Sequence, residues 1–204
     1  MGNRKGEQTK AFIVQKASRL FNCQGYMASS ISDIMQETGL RKGGIYNHFG
    51  NKEELVLSAF SFSIDTMIHF YSEALAGKQG CMERLLSIVS VFEKLAENEL
   101  LPGGCPIMNA AIEADDADPL LREKASEAMD RLFGMVRHVL QKGIEEGEVQ
   151  ANVDIEFVAT VLISTLEGAI MLSKLYGNME YMRRAVLHLK SFLTLQDAPL
   201  LRKA

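Results

Sequence analysis

Between Ser30 and Lys52 the sequence runs SISDIMQETGLRKGGIYNHFGNK, and these residue types suit contact with a polyanion better than they suit catalysis. Arg41, Lys42, Tyr46, Asn47 and His48 cluster around the pair Gly43–Gly44, and Lys52 closes the stretch. An arginine can grip guanine through two hydrogen bonds, and an asparagine can do the same for adenine. Lysine, tyrosine and histidine can bond phosphate oxygens. A glycine pair lets the backbone come close to another molecule, at a cost in helix propensity. The catalytic alternatives are thin. His48, His69, His138 and His188 are scattered and sit beside no nucleophile, and the chain holds no GxSxG, P-loop or HExxH motif. The acidic run EADDAD at 113–118 lacks the spacing and glycine of a calcium loop, and reads as a helix cap with a solvated loop. No catalytic residue, metal site or cofactor is expected.

Those side chains need a frame. Ser29 or Ser30 can cap a short helix whose apolar side is Ile31, Ile34 and Met35. Gly39 can end it with a left-handed residue, and only Leu40 to Lys42 separate it from a second short segment, Gly43 to Phe49. Ile34, Leu40 and Ile45 can lock the two at a fixed angle, leaving Ile45 and Phe49 as the only core-facing residues of the second. Helix, tight turn and short polar helix make the helix-turn-helix plan, over about residues 30–50.

The flanking chain also reads as helix. From Thr9 to Cys23, Phe12, Ile13, Ala17, Leu20 and Phe21 form one stripe, which Gly25 stops. Asn51 can cap a long helix running to about Leu75, where GKQG at 77–80 breaks it. Further helices are expected from Met82 to Glu97, from Ile107 to about Ala114 after the irregular LPGGCP joint at 101–106, and from Asp118–Pro119 to Glu146. Two more are expected, from Asp154 to about Leu175 and from Glu180 to Leu195. Strand-like alternation and repeats at a solenoid period are absent from the sequence, so the expectation is an all-α chain of about nine helices.

Composition sets the bounds. The 204 residues are 47% hydrophobic and 24% charged, an ordinary globular balance. Residues 1–52 hold eight Lys and Arg against three acids, while the remainder holds 14 against 23, so a basic end sits on an acidic chain of net charge −4. This points to an anionic partner for that end alone, the alternative being a basic tail with no partner. The longest charge-free apolar stretch, Phe157 to Leu166, ends at Glu167, about half of the roughly 20 residues a bilayer span needs, so no membrane partner is expected. The basic, then polar, N-terminus has no apolar core of a secretory signal. Cys23, Cys81 and Cys105 are odd in number and far apart, which fits a reducing cytoplasm.

In this frame the N-terminal stretch resembles the TetR/AcrR family of bacterial transcription regulators. The family pattern is Ala-x-x-Leu-Phe-x-x-x-Gly-Tyr/Phe, then Thr-x-x-x-Ile, Ala-Gly-Val, Gly-x-Leu-Tyr-x-His/Tyr-Phe and Lys-x-x-Leu. Here it is matched by Ala17, Leu20, Phe21, Gly25, Tyr26, Ser30, Ile34, Gly39, Leu40, Gly44, Ile45, Tyr46, His48, Phe49, Lys52 and Leu55. Met35 and Thr38 depart from it, standing where small alanines are usual. The resemblance covers about 50 residues. It implies that Tyr46, His48 and Lys52 contact phosphates, and together with the chemistry above it makes Arg41, Lys42, Gly44 and Asn47 the candidates for the base-facing surface. Ser30 completes the DNA-binding set. For each the alternative is a solvated surface residue or a helix cap.

The resemblance further implies a helix-turn-helix DNA-binding domain over residues 1–52 and a helical effector-binding and dimerisation domain over 53–204. The chain would be a homodimeric, cytoplasmic regulator, nucleoid-associated when bound to a near-palindromic operator, and a repressor released by a small-molecule effector. The dimer face would be the last two long helices, about 154–175 and 180–195. The first is apolar nearly all round, which suits one side meeting a partner subunit and also suits a central core helix. Met108, Met129, Met135 and Met171 could line a promiscuous apolar pocket, plain core positions being the alternative, and Glu167 could face an effector amine or cation, a surface or interface-rim position being the alternative. GGCPIMN at 103–109 resembles a Gly-Cys-x-x-x-Asn stretch of a subset of the family in which the cysteine senses electrophiles. That adds Cys105 to the effector-pocket candidates, with simple packing as the other reading. A different class remains: an all-helical dimeric enzyme or adaptor with an incidental helix-turn-helix.

Overall fold

A computed structural model describes residues 2–114 and 118–194. Among them lie nine helices and no strand: α1 (Gly2–Gln24), α2 (Ile31–Thr38), α3 (Lys42–Tyr46), α4 (Lys52–Leu75), α5 (Cys81–Ala96), α6 (Pro106–Ala114), α7 (Pro119–Glu145), α8 (Ile155–Tyr176) and α9 (Glu180–Thr194). The all-helical expectation holds. Residues 115–117 of the acidic run and Leu195, the expected last residue of the final helix, lie outside the described residues. The chain divides into two compact units, one of residues 1–68 and 101–128 and the other of residues 69–100 and 129–204.

The first unit is built on α1. Its stripe Ile13, Ala17, Leu20 and Phe21 is buried, together with Ile34 of α2, Ile45 of α3, and Leu55, Ala59 and Phe60 of α4. Tyr26, on the loop after α1, stands 6.0 Å from the Phe21 ring and 6.0 Å edge-on from that of Phe60. Such pairings add to the area term of a core. Burial pushes the Tyr26 phenol up from its ordinary value, with Cys105 and Glu113 adding to the effect, so it stays protonated. α1 differs from expectation at its start. It begins at Gly2, well before Thr9.

The second unit centres on α8, which packs against both α5 and α9. By length and composition α8 could cross a bilayer, with a mean hydropathy of 1.8. Its buried stripe of Val158, Leu162, Ile163, Leu166 and Ile170 instead serves as core of this unit. Asp154 caps it by accepting the Phe157 N–H at 2.9 Å, and Gly177, in the left-handed region, ends it. Arg137 of α7 makes a two-pronged ion pair with Glu156 at 2.6 and 2.8 Å. A side chain on Gly143 would meet Cys81 and Val149 at 2.7 Å, so only glycine lets α7 pass this close to the start of α5.

Candidate nucleic-acid interface

The helix-turn-helix is set by local bonds before any tertiary contact. Ser30 is extended, and its hydroxyl accepts the Asp33 N–H at 3.3 Å while the Asp33 carboxylate accepts the Ser30 N–H at 2.7 Å, a capping box. The Ser30 backbone and hydroxyl bonds hold the Asp33 carboxyl below its usual range. At the other end Gly39 takes φ 70° and donates to Met35 O at 2.9 Å. Thr38 Oγ1 donates to Ile34 O at 2.7 Å and accepts the Leu40 N–H at 3.3 Å. The turn then passes through Leu40 and Arg41 into α3.

α3 is five residues long, Lys42–Tyr46, shorter than the expected Gly43–Phe49. After Tyr46 the bonding tightens: Asn47 N–H still reaches Gly43 O at 3.0 Å, but His48 N–H turns to Ile45 O at 2.9 Å. That break swings Phe49 into the core beside fully buried Ile45. Arg41, Lys42, Tyr46 and Asn47 are left exposed, with Gly44, His48 and Lys52 half-buried beside them. The Lys42 ammonium lies 5.8 Å from the centre of the Tyr46 ring. Lys52, the first residue of α4, donates to Met27 O at 3.0 Å. Its helix is capped by Asn51, which accepts the Glu54 N–H at 2.7 Å, while Glu54 accepts the Gly50 N–H at 2.7 Å.

The glycine pair has no internal justification. Neither residue has a positive φ. A methyl on Gly43 would have nothing within 4 Å, and one on Gly44 would meet only Leu40 at 3.8 Å. Glycine in a helix is worth about 1 kcal/mol less than alanine. The chain carries that penalty twice in α3 without a packing reason, at exposed Gly43 and half-buried Gly44.

A second constellation of this unit escaped sequence reasoning. Asn22, buried near the end of α1, donates through Nδ2 to Pro102 O at 2.8 Å and Gly104 O at 3.0 Å. Asn109 of α6 donates through Nδ2 to Asn22 O at 3.1 Å, Asn22 Oδ1 at 2.9 Å and Gly103 O at 2.9 Å. Gly103 has φ 94°, and a methyl there would fall 2.3 Å from Asn22 O. The Gly-Cys-x-x-x-Asn stretch is thus a clamp onto α1. Glu113 of α6 adds to it by accepting the Met27 N–H at 2.9 Å. Only the glycines of the joint hinted at so close an approach.

The effector-pocket candidates fall in both units. Cys105, 1% exposed, and half-buried Met108 belong to the first; Met129, Met135, Glu167 and Met171 belong to the second. Met171 is 45% exposed. A cleft of about 340 Å³ in the first unit is lined by Tyr26, Met27, Lys52, Glu53, Val56, Asp118 and Pro119, none of them an effector candidate. Among the described residues no group of three or more His, Cys, Asp or Glu side chains could hold a metal ion.

Comparison with known proteins agrees with this geometry. The family model for bacterial regulatory proteins of the tetR family matches residues 13–59. The model for the C-terminal domain of tetracyclin repressor-like proteins matches residues 81–189. The structure is similar to that of a TetR transcriptional regulator from Chloroflexus aurantiacus, 38% identical, with a TM-score of 0.92 over 98% of this chain and 100% of that one. It is also similar to a TetR-family regulator from Cytophaga hutchinsonii, 31% identical, with a TM-score of 0.86 over 92% and 94%. In sequence it is 27% identical to the probable transcriptional regulator ArpR of Pseudomonas putida, over 81% of this chain and 80% of that one.

Proposed function

Because the chain belongs to the TetR family of bacterial transcriptional regulators, we propose that it is a cytoplasmic homodimeric repressor, nucleoid-associated when bound, that reads a near-palindromic operator through α3 and leaves it when a small effector binds. The observation that carries the reading is the glycine pair of α3, which no packing requires. Gly43, with open space above it, and half-buried Gly44, where a methyl would meet only Leu40, stand among exposed Arg41, Lys42, Tyr46 and Asn47, which suits a surface that another backbone must approach closely. In this reading Tyr46, His48, Lys52 and Ser30 lie against phosphates, and Arg41, Lys42, Gly44 and Asn47 face the bases. The DNA-binding part is about residues 1–52, and residues 53–204 hold the effector and the dimer face. As the chain is a transcriptional regulator, the enzyme-or-adaptor alternative loses its ground.

For dimerisation the support is an exposed line along α8. Phe157, Ser164, Met171 and Leu175 are exposed, with Val161 and Gly168 half-buried between them, and Leu187 stands out from α9. Their three- and four-residue spacing puts them on one face, away from the buried stripe. Two copies would set recognition helices about one DNA turn, ~34–36 Å, apart. An effector held by some of Cys105, Met108, Met129, Met135, Glu167 and Met171 would favour one spacing over the other.

The test is binding of the full chain to duplexes from its own upstream region, followed by fluorescence anisotropy across a salt series. Tyr46→Phe with Lys52→Ala should weaken binding to all sequences alike and flatten the salt slope by about 0.9 per lost phosphate contact. Absence of specific binding to any genomic fragment at moderate salt sinks the proposal.

A further inference from the structure

The extra turns at the start of α1 lie against the recognition segment. A methyl on Gly6 would come 4.0 Å from His48 Cε1, so the α1 backbone passes beside the imidazole. One turn on, the Lys10 ammonium stands 5.1 Å from the centre of the Phe49 ring and 3.9 Å from Glu54 Oε1. These contacts dock the first turns of α1 at the end of the segment where α3 gives way to His48 and Phe49. The segment carries Arg4, Lys5 and Lys10 against the single acid Glu7. Arg4 and Lys5 are exposed and take part in no ion pair among those resolved in the first unit. All of these residues precede Ile13, where the family's N-terminal match begins.

We propose that residues 4–10 of α1 form a second DNA-backbone contact of this chain, in which Arg4 and Lys5 neutralise phosphates flanking the groove that α3 enters. The inference rests on the DNA-binding reading above and extends it to residues outside the helix-turn-helix. An α-helix with its side chains is about 10–12 Å across, close to the ~12 Å width of the major groove. A recognition helix therefore fills the groove, and a helix docked beside its end lies over the groove's edge, where the phosphates run. Three cations within seven residues complement that edge, and the positive end of the α1 dipole adds to them. The surface is continuous with the candidate interface through His48. Phosphate contacts carry no sequence information, so the segment would raise affinity for all duplexes together.

The experiment compares the full-length wild type with Arg4→Ala/Lys5→Ala on one operator duplex and one unrelated duplex of equal length, each between 50 and 200 mM salt. Both side chains are exposed, so thermal melting and helical content should not change. Removing two phosphate contacts should lower the salt slope by about 1.8, so that the wild type loses about tenfold more affinity across that range than the variant does. Both duplexes should be affected alike, and Arg4→Lys/Lys5→Arg should restore the wild-type slope. An unchanged slope in the alanine variant overturns the proposal while leaving α3 as the reader. A loss confined to the operator duplex also overturns it, because that would be base readout. A wild type that binds neither duplex sinks this inference together with the reading it rests on.

Discussion

Asn109 donates from one amide nitrogen to both the backbone oxygen of Asn22, at 3.1 Å, and its side-chain oxygen, at 2.9 Å, across 87 residues of chain. The donor is on α6 and the acceptors are near the end of α1, the helix on which the first unit is built. Asn22 is buried and Asn109 half-buried, so these bonds are partly screened from water.

Asn109→Ala should destabilise the protein by about 1–3 kcal/mol, since it leaves the oxygens of buried Asn22 without their donor. Asn109→Asp should be worse, because a carboxylate would face the oxygens of Asn22 and Gly103. Urea midpoints measure both. Equal midpoints for the two variants would show that the amide is not the donor this arrangement requires.

Two glycines should respond in opposite ways to alanine. Gly103→Ala brings a methyl to 2.3 Å from Asn22 O at φ 94°, and a loss of about 3 kcal/mol or failure to fold is expected. Gly43→Ala meets open space in helical backbone, and should stabilise by up to about 1 kcal/mol. The same Gly43 variant should bind operator DNA more weakly. A gain in both stability and affinity would remove the argument that α3 is kept bare for DNA.

The thiols should differ sharply in reactivity. Cys23 is exposed, whereas Cys81 and Cys105 are buried, so a thiol-reactive chromophore should titrate one cysteine in the native protein and three after unfolding. Fast release of two equivalents would contradict the buried placements. It would also reopen Cys105 as the accessible sensor that its sequence context suggests.

Cys81 also predicts a pH dependence. Burial first, and the Glu148 carboxylate second, push its thiol up to about 11. The folded state thus keeps a proton that the unfolded chain releases near pH 9. Stability from this group is fully present below about pH 9 and is lost as pH rises toward 11. Chemical denaturation of wild type and Cys81→Ala at pH 8 and at pH 10.5 should show a smaller fall in the variant. Parallel falls would leave Cys81 without a part in alkaline stability.

The α8–α9 face can be tested by charge. Met171→Glu with Leu187→Arg alters two exposed positions of the second unit, at 45% and 67% exposure, so the monomer's fold should be little affected. Sedimentation should report a monomer at concentrations where the wild type is a dimer, and operator binding should drop with it. A variant that stays dimeric places the interface elsewhere.

Much of this fold was legible because its boundaries are local. Ser30, Gly39, Asn51, Asp118 and Asp154 each announce a helix end through their own chemistry, and the structure puts helix ends there. The early start of α1 was not legible. Arg4, Lys5, Gly6 and Glu7 carry no apolar period, and what backs them, the His48 ring, is far along the chain. The length of α3 was misread because Phe49 is apolar with helical spacing from Ile45, yet it enters the core from a turn. The Asn22–Asn109 clamp joins segments too distant for any sequence period, and polar residues leave no hydrophobic pattern. The residues proposed to face DNA could be named for the opposite reason: they lie within one short stretch, and their chemistry needs little tertiary context.

Lys52 already has an occupation before any duplex arrives. Its ammonium is tethered to the Met27 carbonyl at 3.0 Å, across the gap between the start of α4 and the loop that follows α1. Freezing a lysine's rotamers opposes association by up to about 2 kcal/mol. Here that loss of freedom is incurred during folding. A phosphate reaching the start of α4 would meet a preorganised cation with two N–H donors left to offer, so the encounter would not have to wait for the side chain to find its place.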